Sequence, residues 1–207
     1  MKHIKIFENF NNDKEIHTIC RKYGIKNYTI NPDHSIDVDG DVDISNKGLT
    51  KLPLKFGKVS GYFNCTNNKL TNLKGMSSVG GDFYCSNNNL TNLKGMSTVG
   101  GYFDCRNNGL TNLEGMSSVG GNFDCSGNNI TSLEGISSIG GGFYCAGNLI
   151  NEIWKLFGDK DKIELLKDYD PFRTIDGKPT IILDRLNSFL EDIGKELVTK
   201  VDGYIIL

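Results

Sequence analysis

Apolar and polar positions along this chain recur every 20 residues, an interval that belongs to neither a helix nor a single strand. From residue 70 to 149 the units are LTNLKGMSSVGGDFYCSNNN, LTNLKGMSTVGGYFDCRNNG, LTNLEGMSSVGGNFDCSGNN and ITSLEGISSIGGGFYCAGNL. A looser copy, LTKLPLKFGKVSGYFNCTNNK, occupies 49–69 with one extra residue between Leu52 and Val59. Before it, DVDISNKG reads as a degenerate half-copy with Val42 and Ile44 in the Phe and Cys columns. Several copies in register predict a repeat architecture in which stacked units share one core.

Within each unit F-x-C alternates, so the Phe (63, 83, 103, 123, 143) and the Cys (65, 85, 105, 125, 145) face the same way from a short strand. Asn follows three residues after each Cys (68, 88, 108, 128, 148), with Leu or Ile two residues later and a further apolar residue three beyond that. Each coil is therefore expected to lay down a short strand, turn at Asn and return along the opposite side. Twenty residues leave little room for a return helix, so short strands, 3₁₀ turns or extended segments are expected there. The Asn amide should turn inward and satisfy backbone groups that burial would otherwise orphan. The Gly-Gly pairs before each strand are expected to make a tight corner or to supply positive φ.

The pattern resembles that of leucine-rich repeats, L-x-L-x-x-N-x-L-x-x-L, with Phe and Cys in the first two leucine positions. It is most similar to short, 20-residue bacterial and tailed-phage repeat proteins with L-x-G-x-x-x-V-G-G-x-F-x-C-x-x-N units, over residues 42–153. The resemblance implies a leucine-rich-repeat solenoid, β-rich with a short-strand parallel sheet. It implies interaction through the repeat surface and brings no catalytic site with it. If the chain is phage-encoded, it implies residence in the host cytoplasm and a host target, such as a component of antiviral defence.

The ends read as caps, which a solenoid needs to cover its open core and strand edges. Residues 1–48 form a small α/β N-terminal cap. Its helix opens at Asn12 and Asp13, with Ile16, Ile19, Cys20 and Tyr23 on one face and Gly24 as the stop. A hairpin of Tyr28–Ile30 and Ser35–Asp39 follows across an NPDH turn. The solenoid covers 49–153. A mainly helical C-terminal cap covers 154–207: INEIWKLFG should place Ile153, Trp154 and Phe157 over the last coil. A second helix is expected to start at Pro179 and Thr180, with Ile182, Leu186, Phe189, Leu190, Ile193 and Leu197 as its apolar stripe. VTKVDGYIIL reads as a final hairpin or strand.

Composition narrows the function. Lys and Arg total 23 against 25 Asp and Glu, with no block of one sign, which argues against a nucleic-acid footprint or a polybasic membrane patch. No signal-peptide core and no long apolar run is present, so a soluble, cytoplasmic protein is expected. Cysteines in a line do not converge as structural zinc ligands do, and their parallel Cβ vectors do not suit disulfides, so buried free thiols are expected. DVDGDVD (37–43) lacks the EF-hand spacing and reads as a solvated edge. GKPT lacks a phosphate-binding glycine loop, and His3, His17 and His34 have no readable nucleophile partners. No enzyme activity, metal or cofactor is expected.

The outward strand positions flanking Phe and Cys vary while the core columns do not. They carry Tyr62, Asp82, Tyr84, Tyr102, Asp104, Arg106, Asp124 and Tyr144, a polar field with the residue types that anchor interfaces. The expected function is a non-enzymatic scaffold binding one protein partner through this concave face. Two alternatives remain open: a small ligand such as a nucleotide held between the solenoid and a terminal segment, and a structural or virion role. Membrane binding is not expected.

Overall fold

The computed structural model describes residues 13–207, a β-solenoid of about six stacked coils with a few helices at its ends. The predicted opening of the first helix at Asn12 lies outside the described residues. Each coil contributes a strand to each of two sheets. The front sheet has six strands in the order Phe143–Tyr144, Phe123–Asp124, Phe103–Asp104, Phe83–Tyr84, Phe63–Asn64 and Val42–Asp43. The back sheet has seven, running from Tyr28–Ile30 and Ser35–Val38 through Lys55–Val59 and Met76–Val79 to Ser138–Ile139. All pairings in these two sheets are parallel except that of Tyr28–Ile30 with Ser35–Val38.

Register follows the 20-residue period: Phe63 pairs with Phe83, Phe83 with Phe103, Phe103 with Phe123 and Phe123 with Phe143. Val42 pairs with Phe63, as its place in the Phe column requires. The extra residue of the second coil falls at Pro53–Leu54, because Phe56 already pairs with Met76. The first coil is one residue short across Ile36–Val38, and the register shifts there.

Between the sheets lies one continuous core of the Phe, Cys, Leu and Val columns, all essentially buried. The rings of Phe56, Phe63, Phe83, Phe103, Phe123 and Phe143 stack with neighbouring centroids 4.9–5.7 Å apart. The line continues through Trp154, Phe157 and Phe189 into the C-terminal cap. Aromatic contacts at such spacing add to the burial term.

The Asn column closes each turn and also joins coils. Asn128 Nδ2 donates to the carbonyls of Cys125 in its own coil (2.8 Å) and Cys105 in the one before (3.1 Å), while Leu110 N donates to its Oδ1 (3.0 Å). Asn68, Asn88, Asn108 and Asn148 repeat the arrangement. The residue before each is left-handed: Asn67, Asn87, Asn107, Gly127 and Gly147 all have φ between 53° and 73°. Only Asn and Gly occupy that column, the two types that tolerate this conformation best.

The Gly-Gly corners work differently from the expectation of positive φ. None of Gly80, Gly81, Gly100, Gly101, Gly120, Gly121, Gly140 or Gly141 is left-handed. They are glycine because the coils touch there. A Cβ on Gly100 would run into the carbonyl oxygen of Gly80, and those on Gly120 and Gly140 into Gly100 and Gly120. Positive φ falls instead on Gly75, Gly95, Gly115 and Gly135 in the return segment.

At the N-terminal end α1 (Asp13–Tyr23) buries Ile16 and Cys20 and stops at left-handed Gly24. At the other end α2 (Ile150–Phe157) grows directly from the last coil and ends at left-handed Gly158. Then come α3 (Ile163–Tyr169), an antiparallel pair Phe172–Ile175 and Lys178–Ile181, and α4 (Leu183–Asp192). Ile205–Ile206 completes a three-stranded sheet by pairing parallel to the second of these strands. Pro179 and Thr180 therefore lie in a strand and do not start a helix, and Leu197 lies beyond α4 and is exposed. The tail is tied to the solenoid by Tyr204, whose hydroxyl donates to Thr131 O at 2.7 Å.

Candidate functional site: the outer face of the front sheet

Strand alternation sends the residues flanking Phe and Cys outward from the front sheet. In most coils the residue between them also shapes the backbone. Asp43, Asn64, Asp104 and Asp124 each accept a hydrogen bond from the backbone N–H two residues on, at 2.8–3.1 Å. Such Asx turns let a short strand end without orphaned donors. The residue before Phe bridges coils instead. Asp41, Asp82 and Asn122 accept from the backbone N–H of Tyr62, Tyr102 and Gly142 in the next coil, at 2.9, 2.7 and 2.7 Å. Asp37 and Asp39 likewise accept from Lys58 N and the Ser60 hydroxyl of the coil above, whereas Asp43 bonds within its own coil.

Tyr84 and Tyr102 from adjacent coils meet edge to face at 5.8 Å. The Tyr84 hydroxyl donates to Asp82 Oδ2 at 2.8 Å, so both oxygens of Asp82 are engaged. That hydrogen bond, followed by burial and by nearby carboxylates, raises the Tyr84 pKa. Burial, then Asp104 and Asp124, push that of Tyr102 up to about 12. Both tyrosines keep their protons at physiological pH. Among the described residues the Tyr102 hydroxyl has no hydrogen-bond partner, and it remains available to a ligand.

Asp104 departs from its expected place as an exposed contact: the residue is 3% accessible. Arg106 covers it, with Nε and Nη2 both at 2.9 Å from its two oxygens. Arg106 Nε also lies 3.6 Å from Asp124 Oδ2. Burial alone would raise the Asp104 carboxyl, but hydrogen bonds and charge from Arg106, with a further hydrogen bond from Ser86, hold it below its ordinary value. The same bidentate pairing raises the Arg106 guanidinium. Such fork-to-fork contacts fix orientation as well as adding energy.

Tyr62, one coil before Asp82, and Tyr144, paired in register with Asp124, flank these coils and are exposed. The Tyr144 ring lies over Gly142, where a Cβ would collide with it. The structure therefore gathers Asp82, Tyr84, Tyr102, Asp104, Arg106 and Asp124 into one patch over three coils, with Tyr62 and Tyr144 on the two coils that border it.

The thiols are all free and buried, and burial raises those of the F-x-C column. Among the described residues no group of three or more His, Cys, Asp or Glu is placed to hold a metal ion, and no helix is long and apolar enough to cross a membrane. A separate polar cleft of about 430 Å³ lies between the sixth coil and the C-terminal cap, lined by Thr131, Ser132, Glu134, Lys167, Phe172 and Arg173 among others. It lies where the small-ligand alternative places a site, between the solenoid and a terminal segment, but its lining residues were not legible, because they come from segments more than 30 residues apart. Comparison with protein families, curated proteins and solved structures finds no match to the chain.

Proposed function

We propose that this protein is a non-enzymatic interaction scaffold that binds a protein partner through the outer face of its front sheet. The observation that carries the reading is the Tyr84–Tyr102–Arg106 patch, held on hydrogen-bonded strands with Tyr84 fixed by Asp82 and Arg106 by Asp104. Residues fixed in this way lose little freedom on binding, which favours affinity. Tyr and Arg are also the types most often found as interface anchors. The spacing of the repeat supports kinship with short leucine-rich-repeat proteins of tailed phages. On that kinship the proposal extends to a partner in the host cytoplasm, such as a component of antiviral defence.

The test is capture from a bacterial host lysate with wild type and a Tyr84→Ala/Tyr102→Ala/Arg106→Ala variant. We expect a protein retained by the first and lost from the second; identical recoveries would remove the reading. A second reading, a small anionic ligand, is favoured by the cleft at the C-terminal cap. Its cations are already committed, however: Lys167 pairs with Glu164 and Arg173 with Asp170. A thermal-shift screen against nucleotides separates the two readings, since a ligand of the folded state raises the midpoint.

A further inference from the structure

The charge of the front face is out of balance with the rest of the chain. Its 18 outward positions in six coils hold five aspartates (41, 43, 82, 104 and 124), one arginine, four tyrosines and neither lysine nor glutamate. The face therefore carries four net negative charges on a chain whose total is −2, and the remainder of the molecule carries +2.

The fold uses only part of this charge, against Arg106. The bridge from Asp82 to the next coil is made by Asn122 at its own position, with the same 2.7 Å separation. The turn closed by Asp124 at 3.0 Å is closed by Asn64 at 3.1 Å. At 124 the ionised form is used inside the protein, where Oδ2 lies 3.6 Å from Arg106 Nε, but at 82 the further partner is the neutral Tyr84 hydroxyl, so that charge has its consequence outside the protein. Arg106 offsets one of the five charges and pairs with both Asp104 and Asp124, whereas Asp82 stands beside the Tyr84–Tyr102 pair and Asp41 and Asp43 are exposed on the first coil.

We infer that this face receives an extended, cationic segment of a partner protein, seating a lysine or arginine against the Tyr84 and Tyr102 rings beside the carboxylate of Asp82. A cation over an aromatic face gains electrostatic energy, and a neighbouring carboxylate both adds to it and steers the encounter. Nucleic acid and acidic peptides meet the opposite field. The inference rests on the interaction reading above and specifies the chemistry of the partner.

The experiment is an anisotropy titration with a labelled peptide of about ten residues alternating arginine and serine, against a counterpart with glutamate for arginine. Wild type should bind only the arginine peptide, and more weakly as salt rises from about 50 to about 300 mM. Asp82→Asn should melt with wild type yet bind about threefold more weakly, the loss of roughly one partly screened charge contact. Equal binding of the two peptides, no binding of either, insensitivity to salt, or tighter binding of an oligonucleotide would each overturn the inference. The salt titration needs no variant, so the inference stays testable even if the substitution disturbs folding. A lysate protein lost with the tyrosine and arginine substitutions but retained in full by the Asp82→Asn variant would sink charge recognition and leave the interaction reading standing.

Discussion

The Asn column stabilises the coils one residue at a time. Each buried amide spends its donors and acceptor on backbone groups of two coils, so truncation orphans several groups at once. Asn128→Ala should destabilise the protein by about 3 kcal/mol in urea unfolding, the cost of leaving buried donors and acceptors unmade. Asp104 supplies a pH-dependent counterpart. Its carboxyl holds its proton more weakly when folded, so the stability it confers is present above the unfolded value of about 3.9 and is lost as pH falls through the folded one. The stability difference between wild type and Asp104→Asn should be constant above about pH 5 and shrink below about pH 4. A difference that widened on acidification would contradict the assignment. The turn-forming role of these residues was legible in the sequence for Asn, where the column is uniform. The burial of Asp104 was not, because its column also holds Asn and Tyr. The clue was Arg106 two residues on, with Asp124 one period later.

At the level of the elements, the Gly-Gly corner sets how closely coils approach. Gly100→Ala places a methyl group against the Gly80 carbonyl and should cost more than about 3 kcal/mol, an overpacking penalty that backbone cannot relieve by a rotamer change. Gly109→Ala is the control. Its Cβ would meet nothing closer than 3.4 Å, and Lys69, Asn89 and Asn129 occupy the equivalent positions. Thermal melting of the pair should separate them clearly; equal losses would refute close contact as the reason for glycine. The front strands were legible from F-x-C alternation, whereas the back segment M-S-S-V buries Met76 and Val79 three residues apart and so shows no alternation. The C-terminal strand Lys178–Ile181 was hidden for another reason. Its Ile181 runs on into Ile182 and the apolar stripe of α4, so strand and helix read as one hydrophobic stretch.

Across the whole molecule, the line of rings from Phe56 to Phe189 links the solenoid to its C-terminal cap. Trp154 is the joint, 4.9 Å from Phe143 and 5.1 Å from Phe157. Trp154→Ala should cost about 3 kcal/mol. It should also let amides of the cap exchange with solvent before those of the central coils, as neighbour-coupled stacks predict. Uniform acceleration along the chain would mean that cap and coils unfold as one unit.

Because residues 90–109 span one period and every inward position recurs 20 residues later, the molecule can change its length in whole steps. Excising that segment joins Asn89 to Leu110 and restores each vertical contact with a neighbour of the same kind. The shortened protein should still unfold cooperatively while lacking Tyr102, Asp104 and Arg106. What the surface displays is thus separable from what makes the stack hold, and recognition can be gained or discarded a layer at a time without redesigning the interior.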